Sequence, residues 1–81
     1  MAFTLKFWGV RGSIACPLPS HMEFGGNTSC IEVTVGEHRF ILDSGTGIRS
    51  LGQTFARDGV IDTKLLFTHT HWDHINGFPF F

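Results

Sequence analysis

Residues 29–43, SCIEVTVGEHRFILD, hold two stretches of alternating side chains hinged on Gly36–Glu37. Ile31, Val33 and Val35 fall on one side of the first stretch, with Glu32 and Thr34 on the other. That is the period of a strand with one apolar face. A two-residue connection with glycine first matches a type II′ turn, whose positive φ at the first central position suits glycine. The spacing therefore predicts an antiparallel hairpin over 29–35 and 38–43. No other local pattern in the chain restricts the fold as tightly.

The remaining elements follow from shorter signals. FTLKFWG (3–9) alternates Phe3, Leu5 and Phe7 against Thr4, Lys6 and Trp8, as a half-buried strand does, and Gly9 and Gly12 end it. Residues 13–28 carry two of the three prolines and the pair Gly25–Gly26, so they form a long irregular connection. Such a loop in a compact unit is more often functional than idle. Ile48, Leu51 and Phe55 recur at i, i+3 and i+7, which predicts a short helix over 48–57. Arg57 in its last turn and Gly59 just beyond are stop signals. KLLFTH (64–69) is a short apolar run suited to a buried strand, and Asn76–Gly77 and Pro79 oppose a long helix after it. The reading is one α/β (α+β) domain over 1–81, mostly antiparallel strands with one short helix.

Composition excludes more than it assigns. Six Lys+Arg against seven Asp+Glu give a net charge of −1. That offers no broad basic surface for nucleic acid and none for an anionic membrane, although it leaves a locally held nucleotide open. No apolar run approaches the roughly 18–20 residues that span a bilayer. The N-terminus has neither the basic start nor the long apolar middle of a signal peptide, so the expected location is the cytoplasm. There Cys16 and Cys30 are expected as reduced thiols.

Chemistry concentrates in HTHWDH, residues 69–74, where three of the five histidines stand beside Asp73. His69 and His71 are two apart, so extended backbone points both imidazoles the same way. Asp73 and His74 are adjacent, and a turn can aim both at a second position. Imidazole nitrogen and carboxylate oxygen together suit zinc, manganese or iron. Two such ions about 3.5–4 Å apart clamp a reacting ester. The plain alternative, surface histidines met by chance, leaves unexplained why an apolar strand feeds straight into four polar donors.

HTHWDH followed by INGFP resembles the HxHxDH signature of the metallo-β-lactamase superfamily, and ILDSGTG resembles its earlier acidic element. FWGVRGS with FGGNTSC is further similar to the phosphodiesterase-type branch, which includes cyclic-nucleotide and tRNA 3′-end-processing enzymes. The resemblance covers essentially the whole chain and implies the N-terminal part of an αβ/βα sandwich. It implies His69 and His71 as ligands of a first divalent ion, with zinc foremost. Asp73 and His74 would be ligands of a second, Asp73 also orienting the attacking water. Asp43 would brace the loop from behind the histidines. The implied activity is a binuclear metallohydrolase that uses metal-activated hydroxide, with a small-molecule or nucleotide phosphoester as substrate. Thioester, lactone and β-lactam hydrolysis are the alternatives within the superfamily. A homodimer is compatible, and RNA end-processing is not excluded.

Several residues carry two readings. Asp43 is also a good turn residue before Gly45. Arg11, on a Gly-flanked loop, could hold a phosphate oxygen or simply lie on a turn. Asn27 in GGNTS could face a substrate or belong to a generic turn. Trp72 could wall a pocket and is expected rather to pack, Phe78, Phe80 and Phe81 are expected as core residues whose partners are missing, and His21 and His38 are expected not to be ligands. Four donors from one loop cannot give two ions three protein ligands each. The expectation is thus the N-terminal portion of a longer enzyme. The isolated chain would be inactive, binding metal weakly or complementing a second polypeptide.

Overall fold

The computed structural model describes residues 3–60 and 62–81. Four strands form one sheet in the order β1-β2-β3-β4: β1 Phe3–Gly9, β2 Cys30–Val35, β3 His38–Leu42 and β4 Lys64–Leu66. β2 pairs antiparallel with both β1 and β3, whereas β3 and β4 run parallel. Helix α1, Ile48–Asp58, supplies the crossover that a parallel pair requires. A single turn of helix, α2 (Trp72–Ile75), follows β4, and short 3-10 turns occupy Pro19–His21 and Phe78–Phe80.

The hairpin forms as its sequence predicts. Val35 faces His38 across the turn and Ile31 faces Leu42 at the far end. Gly36 takes φ 59° while Glu37 stays outside the left-handed region, as a II′ turn requires. Helix α1 buries Ile48, Leu51 and Phe55 and ends at Gly59, whose φ of 74° places it in the left-handed region. The N–H groups of Gly59 and Val60 both close on the Phe55 carbonyl. This cap satisfies the end of the helix without a side chain.

The core lies between α1 and one face of the sheet. Cys30, Ile41, Ile48, Leu51 and Phe55 are buried there, with Trp8, Val60 and Leu65 packed against them. Each large apolar side chain withdrawn from water contributes about 1.5–3 kcal/mol. Burial also pushes the Cys30 thiol up to about 12, and no disulfide joins it to Cys16.

Three expectations are corrected. The apolar side of β1 does not meet the helix: Phe3, Leu5 and Phe7 are 65%, 53% and 62% exposed. Their register with Val35, Val33 and Ile31 puts them on the opposite face of the sheet from α1. Trp8 turns to the helix side instead, where its indole donates a 3.0 Å hydrogen bond to Glu32. Next, β4 stops at Leu66 rather than continuing to His69. Asp43 donates its N–H to the Leu66 carbonyl at 2.8 Å and then leaves the ladder with φ 67°, so no strand remains to pair with residues 67–69. Finally, Trp72 does not pack as expected. Trp72 is 72% exposed, and Phe81, about half exposed, makes an edge contact with Phe55.

Among the described residues no helix is long and apolar enough to cross a membrane.

Candidate metal centre

The centre is organised by Asp43, at the point where β3 ends. Its left-handed backbone costs an L-residue roughly 1–2 kcal/mol, a conformation that aspartate tolerates better than most. The return is a carboxylate turned inward and only 4% exposed. Its Oδ1 accepts the Thr68 N–H at 2.8 Å, and its Oδ2 accepts the Thr68 hydroxyl at 2.8 Å. The same Oδ2 lies 2.9 Å from Nδ1 of His74. Burial works against the charge, but the hydrogen bonds from His74 and Thr68 outweigh it and hold the carboxyl below its ordinary range. One ionised side chain thus ties down both ends of residues 68–74.

The backbone of that loop is tied to the segment after Asp43. Ser44 donates its N–H to the His74 carbonyl, and Gly77 donates to the Ser44 carbonyl, each at 2.8 Å. α2 starts from an extended His71, whose carbonyl accepts the N–H of His74 at 2.9 Å. This turn sets the imidazoles together. The rings of His69 and His71 are 4.7 Å apart between centroids, and those of His69 and His74 are 4.0 Å apart. Nε2 of His74 lies 3.4 Å from Asp73 Oδ2.

Asp73 receives a contact from the other end of the chain. The Ser13 N–H donates to its Oδ2 at 3.1 Å, with Ser13 itself held at φ 69°. That hydrogen bond, with help from the neighbouring His74 and His69, holds the Asp73 carboxyl below its usual range. Arg11 serves this same loop. Its Nε donates to the Ile14 carbonyl, and its own N–H bonds the Asn27 carbonyl at 3.0 Å.

Asn27 stands in a different cluster. Its side-chain oxygen accepts from the Thr46 hydroxyl at 3.2 Å, beside a cavity of about 260 Å³ lined also by Arg49, Gly77 and Phe80. Fully buried Thr28 joins the network: its hydroxyl accepts the Thr46 N–H at 2.7 Å and bonds Asn76 at 3.3 Å. His38 is exposed at the start of β3, and the His21 side chain lies outside the described residues. His69, His71, Asp73, His74 and Asp43 are therefore brought together, while Arg11 and Asn27 bond elsewhere. Sequence reasoning missed Thr68 and Ser13. Thr68 stands beside the motif and could have been suspected, whereas Ser13 meets Asp73 across sixty positions with no local signal.

In chemistry this donor set suits a divalent cation: imidazole nitrogens beside an ionised carboxylate, one ring already bonded through its far nitrogen to an aspartate. Convergence is less complete. Among the described residues no group of three His, Cys, Asp or Glu side chains is arranged to hold a metal ion.

Comparison with known proteins agrees with this fold. No protein-family profile matches the chain. It is 37% identical over 65 residues to the lactamase-like protein notP of Aspergillus sp. (strain MF297-2), a match covering 74% of this chain and 20% of that one. Its fold superposes, with a TM-score of 0.56 and 24% identity, on a Thermotoga maritima crystal structure described as a metallo-β-lactamase candidate. That match covers 98% of this chain and 39% of the other. The fold is thus an α+β part of a metallo-β-lactamase-like domain. The likeness in sequence is to a lactamase-like protein, and the likeness in structure is one of fold. The chain spans about a fifth of the length of the curated relative it matches.

Proposed function

We propose that this chain carries the first part of the metal centre of a metal-dependent hydrolase, and that the substrate is a phosphodiester of nucleotide-like or cyclic type. The observation that carries the reading is the gathering of His69, His71 and His74 within 4–5 Å, with His74 already bonded to Asp43. His69, His71, Asp73 and His74 would hold the divalent ions, zinc foremost and manganese or iron alternatively. When bound, such an ion supplies Lewis acidity that makes water nucleophilic near neutral pH. The chain's own residues do the rest. Asp73 stays ionised under the Ser13 N–H and can orient water or accept its proton. Asp43 keeps the loop and the His74 ring in place. The phosphodiester reading is supported by resemblance in the two Gly-rich segments, which surround the loop that reaches Asp73.

Elemental analysis with turnover of bis(p-nitrophenyl) phosphate, a thioester and a β-lactam tests both parts. In a protein carrying this sequence within a domain of its relatives' length, phosphodiester turnover is expected. His69→Ala with His71→Ala should abolish metal content and turnover together. Unchanged metal content in that variant would overturn the reading. A second reading, an inactive piece that binds metal weakly or completes another polypeptide, is favoured for the 81 residues alone by the incomplete convergence of donors. For that chain the expected result is one weak ion at most and no turnover.

A further inference from the structure

We propose that Thr68 is a positioning residue that fixes the tautomer of His69: its hydroxyl donates to Asp43 and accepts from Nδ1–H of His69, leaving Nε2 unprotonated. The inference follows from counting protons. Thr68 Oγ1 lies 2.8 Å from Asp43 Oδ2 and 3.0 Å from Nδ1 of His69. A hydroxyl has one proton to give, and an ionised carboxylate can only accept. The Asp43 carboxylate is nearly buried and bonded from three sides, so the hydroxyl proton is committed to it. Only lone pairs then face His69, and a contact of 3.0 Å is attractive only if Nδ1 carries the hydrogen.

The same carboxylate oxygen faces Nδ1 of His74 directly. One aspartate therefore presets two imidazoles, the first through a hydroxyl and the second without an intermediary. On His69 this leaves Nε2 as the open electron pair, the form in which a histidine binds a cation, whereas Nε2 of His74 faces the Asp73 carboxylate at 3.4 Å. The value of this for a metal rests on the function proposed above; the tautomer itself does not.

The test reads the tautomer without metal. Long-range proton–nitrogen correlation spectra of the 15N-labelled chain, recorded in chelator above the ordinary imidazole titration range, should show His69 protonated at Nδ1 and bare at Nε2. Thr68→Val keeps the backbone N–H to Asp43 and the branched shape but removes the hydroxyl. It should move His69 toward the Nε2–H form that a free imidazole prefers, and Thr68→Ser should restore the original pattern. Zinc titrations should show affinity falling about tenfold or more in T68V and recovering in T68S, the usual effect of losing such a support. An Nε2–H signal for His69 in the unmodified chain overturns the proposal even if T68V fails to fold, and so does a T68V spectrum identical to the parent. If the tautomer behaves as described but zinc is not taken up even when this sequence stands within a domain of its relatives' length, the relay stands and the metal-centre reading fails.

Discussion

Asp43 shows how one residue links backbone, electrostatics and site. A left-handed φ at a non-glycine position is unfavourable by itself, and three hydrogen bonds offset it. Asp43→Asn keeps the shape but turns one acceptor oxygen into a donor facing Thr68 and His74. The expected loss is about 1–3 kcal/mol, measured by urea unfolding at neutral pH. The pH dependence has a definite sign. Because the folded-state pKa is depressed, the carboxylate's contribution is complete above its unfolded value, near 4, and is lost as pH falls through the folded value. The stability gap between the parent and D43N should narrow as pH falls below about 4 and close at lower pH. A gap that persists unchanged toward pH 2 would mean that the ionised form is not what matters.

At the level of elements, the loops are held by backbone contact so close that side chains are excluded. A Cβ on Gly77 would stand 2.1 Å from the Gly45 carbonyl oxygen and 2.9 Å from Ile48 Cγ2. Backbone cannot step aside as a flexible side chain can. Gly77→Ala should thus cost on the order of 1–3 kcal/mol or more by overpacking, and should shift the His74 ring through the Gly77–Ser44–His74 hydrogen bonds. Gly12→Ala is the matched control: a Cβ there meets nothing within 4 Å, and φ is not positive. Thermal unfolding of the two variants side by side checks the contrast. Similar melting temperatures would show that the DSGTG and ING segments are not packed as described.

For the whole molecule the governing fact is that the sheet has two apolar faces and α1 covers one of them. Ile41, Leu65 and Cys30 lie under α1, while Phe3, Leu5 and Phe7 of β1 and Leu66 of β4 remain at least half exposed. An apolar area of that kind binds amphipathic dyes and drives association. The 81-residue chain should enhance the fluorescence of anilinonaphthalene sulfonate at neutral pH while keeping a cooperative unfolding transition, and Phe3→Lys with Phe7→Lys should reduce the signal severalfold. Unaltered dye binding in that variant would place the apolar surface elsewhere.

The hairpin, helix α1 and the cluster of metal-type residues could be read before any coordinates, because their causes are local. Turn chemistry at Gly36–Glu37, the i, i+3, i+7 pattern of Ile48, Leu51 and Phe55, and the spacing of His69, His71 and His74 each act over a few adjacent positions. The face of β1 that meets the helix could not be read, since alternation defines two faces without saying which one is covered. Nor could the end of β4, which depends on Asp43 leaving β3, or the bond from Ser13 to Asp73 across the chain. Those features arise from register and from contacts between residues far apart in order, where no neighbour in the sequence carries the information.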